Sequence, residues 1–184
     1  MSKSVLVVLA DGFEEIEAVT PIDILRRAGL AVNVAGVGKQ EITGSHGIKI
    51  TADVVLEDYK DIPDAIVLPG GLPGANHLKR SKTLSSLLLK MKENQKIIGA
   101  ICASPARVLV PLGILDGKKA TCYPGFENEL GPKVKFMEDR VVRDGLVITS
   151  RGPGSAMEFS LRLVEELIDA EMAQKLKNDL LAKV

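Results

Sequence analysis

Tryptophan is absent and aromatic residues make up only 3% of the chain. A platform that stacks bases or sugar rings needs several aromatic faces, so that class of recognition lacks its raw material. Charge of one sign is missing too, because 24 basic residues balance 24 acidic ones. Nucleic acids and anionic membranes are met by a basic excess, and there is none here. No apolar run approaches the roughly 18 residues of a membrane span. The run from Val5 to Ala10 is also too short for a secretory core with a cleavage site, so no targeting segment is expected. The two cysteines, Cys102 and Cys122, cannot build a disulfide framework and suit a reducing, cytoplasmic compartment. His46 and His77 show no ligand spacing with either cysteine, so no metal is expected. The stretch Ala10-Asp-Gly-Phe-Glu-Glu15 has one glycine where a dinucleotide fingerprint needs three, and no GxxxxGK[ST] loop occurs. No cofactor is expected on these grounds.

What is present is an ordinary globular composition, 46% hydrophobic and 26% charged, which excludes a disordered chain. The length suits one domain over residues 1–184. Val5–Ala10 is a continuous apolar run rich in β-branched residues, Leu30–Ala35 reads as a second strand, and Ala65–Leu68 and Lys96–Ile101 read as further buried strands. Such runs fit strands buried on both faces of a parallel sheet. Ile48–Thr51 alternates and reads as a short exposed strand. Short strands are also expected over Lys118–Cys122, Val134–Phe136, Val141–Val142 and Leu146–Thr149, with Asp144-Gly145 turning a hairpin. Helices are expected over Glu14–Ala28, Leu84–Lys92, Pro105–Leu112, Ser155–Ile168 and Ala170–Ala182. Pro21 should kink or split the first of them near Thr20. The alternation predicts an α/β fold on a mainly parallel sheet. Sites in such folds lie beyond the carboxyl ends of the strands, which here selects the loops after Ala10, Leu68, Ile101, Cys122 and Thr149.

Two of those loops carry groups able to do chemistry. Cys102 falls where a buried run ends and a helix begins, a sharp corner that lifts a side chain above the sheet. Free N–H groups and the helix dipole there favour an anion, so a thiol pKa below the ordinary value of about 8.5 is expected. A buried structural cysteine explains the same residue equally well. Glu17 follows the first strand, among the apolar residues Ile16, Ala18 and Val19. It is either one more solvated acid at an acidic helix start, like Glu14 and Glu15, or a partly buried carboxyl with a raised pKa. Gly70 and Gly71 close a central strand and either form a plain turn or aim N–H groups at a ligand.

The segments Ala10-Asp-Gly-Phe-Glu-Glu-Ile-Glu17, Val67-Leu-Pro-Gly-Gly71, Ala100-Ile-Cys-Ala103 and Thr149-Ser-Arg-Gly-Pro-Gly154 together resemble the DJ-1/ThiJ/PfpI superfamily, its DJ-1/ThiJ-like branch in particular. The protease branch places a histidine directly after the nucleophile, where this chain has Ala103. The resemblance implies a flavodoxin-like three-layer sandwich and a homodimer. It implies a reactive Cys102, a partnering Glu17, and backbone N–H groups of Gly70, Gly71 and Ala103 around a bound group. Tyr123, Pro124, Arg151, Gly152 and Pro153 would line the pocket. The activities it implies are cofactor-free conversion of methylglyoxal to lactate, deglycation of early protein adducts, or a redox-sensing or chaperone role in which Cys102 becomes a sulfinic acid. Partners would be a small 2-oxoaldehyde or glycated side chains. Relatives with glyoxalase activity usually carry a histidine where this chain has Tyr123, and His46 stands where an arginine is common.

Overall fold

The structure, a computed structural model, describes residues 2–184. It opens with β1 (Ser4–Leu9), α1 (Glu15–Arg27), β2 (Ala31–Gly36), β3 (Glu41–Thr43), β4 (Lys49–Thr51) and β5 (Val54–Val55). There follow β6 (Ala65–Leu68), α2 (Gly74–Arg80), α3 (Lys82–Glu93) and β7 (Ile97–Ile101). The second half holds β8 (Lys119–Ala120), β9 (Lys135–Phe136), β10 (Val141–Asp144), β11 (Val147–Ser150), α4 (Ala156–Leu167) and α5 (Ala170–Asp179). Seven strands form one sheet in the order β10-β11-β7-β6-β1-β2-β5. Only the edge strand β10 runs antiparallel, paired with β11 across the Gly145 turn.

The apolar runs are continuous because both faces of the sheet are covered. Along β1, Val5, Val7 and Leu9 enter one core with α1 and α4, while Leu6 and Val8 enter the other with α3. Two layers of helix around a mostly parallel sheet give the flavodoxin-like sandwich. No helix among the described residues is long and apolar enough to cross a membrane.

The structure departs from the sequence expectations in several places. Helix α1 runs unbroken through Pro21. The proline removes one intrahelical donor, but Ala18, Ile24 and Leu25 anchor the turns on either side of it in the core. Pro105–Leu109 winds as a π-helix, tightens to a 3-10 turn over Val110–Leu112 and ends at the left-handed Gly113. The exposed strand at 48–51 is β4, but it pairs with β3 in a separate hairpin. Strands β3 and β5 and helix α2 have too few residues to show a periodicity.

Candidate active site

The chain turns away from the parallel strands β1, β6, β7 and β11 at their carboxyl ends, and the chemistry-bearing residues collect there. Cys102 immediately follows β7 and holds φ at +66°. A left-handed cysteine is strained by about 1–3 kcal/mol and persists only where its neighbours fix it. Here they do: its N–H donates to Ser150 O at 2.9 Å and its carbonyl accepts from Tyr123 N–H at 2.9 Å. Ser104, one residue further on, donates its hydroxyl to Pro69 O at 2.5 Å and ties the corner to the end of β6.

Glu17 lies in the first turn of α1 with its side chain inward. It is 0% exposed. Ile16 and Val19, the apolar residues beside it, are exposed instead. At about 100° per residue one helix face cannot hold all three. Oε2 accepts the Gly70 N–H at 2.8 Å, whereas Oε1 is buried with no hydrogen-bond partner. Burial dominates and pushes the carboxyl up to about 7; the Gly70 N–H and the Cys102 side chain oppose it.

Burial likewise pushes the Cys102 thiol up, and the negative charge of Glu17 adds to it. The N–H groups of Gly71 and Ala103 pull the other way without prevailing. The depressed thiol pKa expected from the sequence is therefore corrected. The helix start is less favourable than assumed, because the turn after Cys102 is a π-helix that begins only at Pro105. The thiol and the carboxyl compete for one negative charge in a poorly solvated corner.

The glycines are explained by contact. A Cβ on Gly70 would sit 2.6 Å from Cys102 Cβ and 2.9 Å from Glu17 Oε2. The N–H of Gly70 is engaged by Glu17, which leaves the N–H groups of Gly71 and Ala103 facing the sulfur. Gly71 has φ +87°, and a Cβ there would meet Glu14 N at 2.5 Å and Gly12 O at 2.6 Å. Gly71→Val should therefore combine a strained backbone with a clash against immobile main chain. A loss of at least about 3 kcal/mol is expected, seen as a Tm lowered by about 10 °C. Gly29→Ala, at φ +79° with open space around it, isolates the backbone part and should cost only about 1 kcal/mol. Equal losses in the two variants would show that the close approach at Gly71 is unimportant.

Tyr123, Pro124, Arg151, Gly152 and Pro153 border one open cavity of about 220 Å³, together with Arg140, Gly154 and Ser155. Neither Cys102 nor Glu17 lines it. A Cβ on Gly152 would be 3.0 Å from the Tyr123 ring and 3.9 Å from Glu17 Oε1, so that loop separates cavity from carboxyl. The loop is held by serines that the sequence reading overlooked. Ser155 Oγ accepts the Gly152 N–H at 3.1 Å and lies 2.7 Å from Ser150 Oγ. A Gly-x-x-Ser spacing before a helix was the available signal. Arg151 is engaged by protein, with Nη1 donating to Glu138 O at 3.2 Å and its guanidinium over the Phe136 ring. Cys122 is fully buried on the other face of the sheet, and burial pushes its thiol up to about 12. His46 stands on the surface with Nδ1 2.9 Å from Glu15 Oε2, and His77 Nδ1 lies 2.8 Å from Asp11 O.

Comparisons with known proteins give the family. The family model described as DJ-1/PfpI family matches residues 3–166. The chain is 45% identical to Protein DJ-1 homolog B of Arabidopsis thaliana over 184 residues, 99% of this chain and 42% of that protein. It thus spans less than half the length of that relative. It is 45% identical to the Parkinson disease protein 7 homolog of Danio rerio, covering 98% of each chain. It is 38% identical to the Glutathione-independent glyoxalase DJR-1.2 of Caenorhabditis elegans, over 95% of this chain and 94% of that one. Among solved structures, oxidized Toxoplasma gondii DJ-1 superposes with a TM-score of 0.94 at 40% identity, over 100% of both chains. With a family match over residues 3–166, and a relative at 45% identity aligned over 98% of both chains, this chain belongs to the DJ-1/PfpI family.

Proposed function

We propose that the protein is a cofactor-free enzyme converting reactive 2-oxoaldehydes to 2-hydroxy acids, methylglyoxal to lactate in the simplest case, or acting on the early adducts such aldehydes form on protein side chains. The observation that carries this reading is the Cys102–Glu17 pair: a buried carboxyl with one oxygen pinned by Gly70 and the other left open, beside a thiol faced by two further N–H groups. The worm relative named as a glutathione-independent glyoxalase supports it.

In this mechanism ionised Glu17 takes the thiol proton as sulfur attacks the aldehyde carbon. A C–S bond forms and the carbonyl electrons move to oxygen, stabilised by the N–H groups of Gly71 and Ala103. Glu17 returns its proton to that oxygen, which gives a hemithioacetal. It then removes the hydrogen left on the former aldehyde carbon, and a proton is delivered to the neighbouring carbon. The product is a thioester of the 2-hydroxy acid. Water cleaves the thioester, releases the acid and restores the thiol. The sum is aldehyde plus water, with no oxidant and no glutathione. Tyr123, Pro124, Arg151, Gly152 and Pro153 border the neighbouring open cavity, with the Gly152 loop between it and the carboxyl.

A second copy of the chain is part of the proposal. The exposed apolar residues Ile16, Val19, Ile48 and Leu72 cluster around the N-terminal end of α1, where a homodimer would cover them. A reducing, cytoplasmic setting suits the two free cysteines. The deciding experiment incubates purified protein with methylglyoxal in chelator and without glutathione. Lactate should accumulate well above the buffer rate; formation at the buffer rate would end the proposal.

One observation favours a second reading, a redox sensor or protective chaperone. Cys102 is 8% exposed, Cys122 is 0% exposed, and only Cys102 adjoins a carboxyl able to hydrogen-bond an added oxygen. Two equivalents of peroxide would convert the thiol to a sulfinic acid and release two waters. Mass spectrometry after mild peroxide should find two added oxygens on Cys102 and little change on Cys122. Prior oxidation of Cys122 would count against this reading.

A further inference from the structure

The opposite end of the sheet carries a second cavity, of about 320 Å³, that the proposed chemistry does not use. Its floor is apolar. Ile98 at the start of β7 and Val147 at the start of β11 are register partners on adjacent parallel strands, and their side chains join Ile114 in the same core. Leu146, at the β10–β11 turn, adds a large side chain that is partly exposed.

The rim is cationic. Lys92 comes from the last turn of α3, Lys96 from the approach to β7 and Lys118 from the approach to β8. Lys96 is paired with Asp64 at 2.8 Å. The other two are less committed. Lys118 Nζ is 3.9 Å from Asp144, beyond hydrogen-bond length. Lys92 Nζ donates only to the Gly113 carbonyl, at 2.9 Å, and no carboxylate pairs with it among the described residues. Three ammonium groups thus face an apolar floor, with two carboxylates against them.

We infer that this cavity binds a small amphiphilic anion, a medium-chain carboxylate or another molecule with one anionic head and a short apolar body. The body would cover Ile98, Ile114, Leu146 and Val147. The head would lie between Lys92 and Lys118, where positive charge exceeds its local compensation. The volume falls in the range of small-ligand sites, and an apolar cavity with a few placed polar groups is their usual form. A neutral apolar molecule would leave the charge of Lys92 without an anion and that of Lys118 only loosely countered by Asp144, and a cation would be repelled. Lys118 Nζ lies 3.6 Å from where a Gly145 Cβ would stand, so the head group meets the hairpin turn as well.

The cavity is separate from the cysteine. Ile98 and Cys102 lie at opposite ends of β7, about 13 Å apart at the usual rise of a strand. The inference therefore stands whether or not the protein turns over 2-oxoaldehydes.

The test is a titration of the full chain with octanoate, followed by methyl NMR, with octanol as the neutral probe. Octanoate should give saturable shifts at the Ile98, Ile114, Leu146 and Val147 methyls, with a Kd in the range of about 0.1–1 mM. Octanol should bind about tenfold more weakly. The double variant Lys92→Gln, Lys118→Gln should bind octanoate about tenfold more weakly than wild type and leave octanol binding unchanged. Leu146→Asp, which sets a charge of the ligand's sign at the mouth, should remove the shifts while the other methyl signals keep their dispersion. Equal affinity for octanol and octanoate would overturn the inference, as would a double variant within twofold of wild type. No saturation of those methyls by about 10 mM would do the same.

Discussion

Cys102→Ser should lower lactate formation from methylglyoxal by about a thousandfold or more and leave the fold intact. A hydroxyl at this corner would have the same backbone and the same N–H groups around it, but oxygen is far less nucleophilic than sulfur at neutral pH. Glu17 could not compensate. It is raised only to about 7, too weak a base to ionise a serine. The side chain differs by one atom, so Tm should stay within a few degrees of wild type. The comparison that matters is lactate yield against enzyme concentration, with iodoacetamide labelling run in parallel. A serine variant with the wild-type rate would remove sulfur from the mechanism. A wild-type protein that labels readily at Cys102 yet makes no lactate would leave the redox reading standing alone.

Glu17→Gln should lose activity by about a hundredfold to ten-thousandfold and at the same time become more stable above neutral pH. Both effects come from the same burial. The carboxyl moves from an ordinary 4.5 to about 7 on folding, so the folded chain holds its proton more tightly than the unfolded chain. Between those values the unfolded state binds fewer protons, and stability falls as pH rises. Above about 7 the full cost is present, about 3 kcal/mol for keeping the buried group ionised. Glutamine has no charge to lose. It forfeits part of the gain, because its amide brings donors to a place where Oε1 has no partner. A net stabilisation of about 1–3 kcal/mol at pH 8 is expected, shrinking toward zero near pH 4. Wild-type activity should climb with pH through about 7 as Glu17 ionises, and the residual activity of the variant should lack that step. Thermal unfolding of both proteins from pH 4 to 8 checks the first claim. Parallel wild-type and variant curves would mean that the carboxyl is not buried ionised.

Much of the scaffold was legible because it is a matter of period and punctuation. The buried strands at Val5, Ala65 and Ile97 are apolar on both faces, and only a sheet covered by helices on both sides explains that. Cys102 was legible from its place after β7. Its positive φ was not, since that angle is imposed by Ser150 and Tyr123 from distant parts of the chain. The hairpin of β3 and β4 lies off the main sheet, against α1. Glu15 holds it there by accepting the His46 N–H at 2.7 Å, a contact across 31 residues that no local pattern announces.

Glu17 shows where sequence stops and structure begins. Spacing alone left it as either a solvated acid or a buried partner, because a helix needs packing on one side before inward has a meaning. Once α1 lay against the sheet, the turn angle sent Ile16 and Val19 outward and Glu17 inward. The order of strands and helices, the elbow cysteine and the glycine turns were determined by the chain itself, through periodicity and backbone freedom. The exchange of one negative charge between sulfur and carboxyl was decided only by the tertiary structure, because the energy of a charge depends on the water removed around it, and no residue removes its own water.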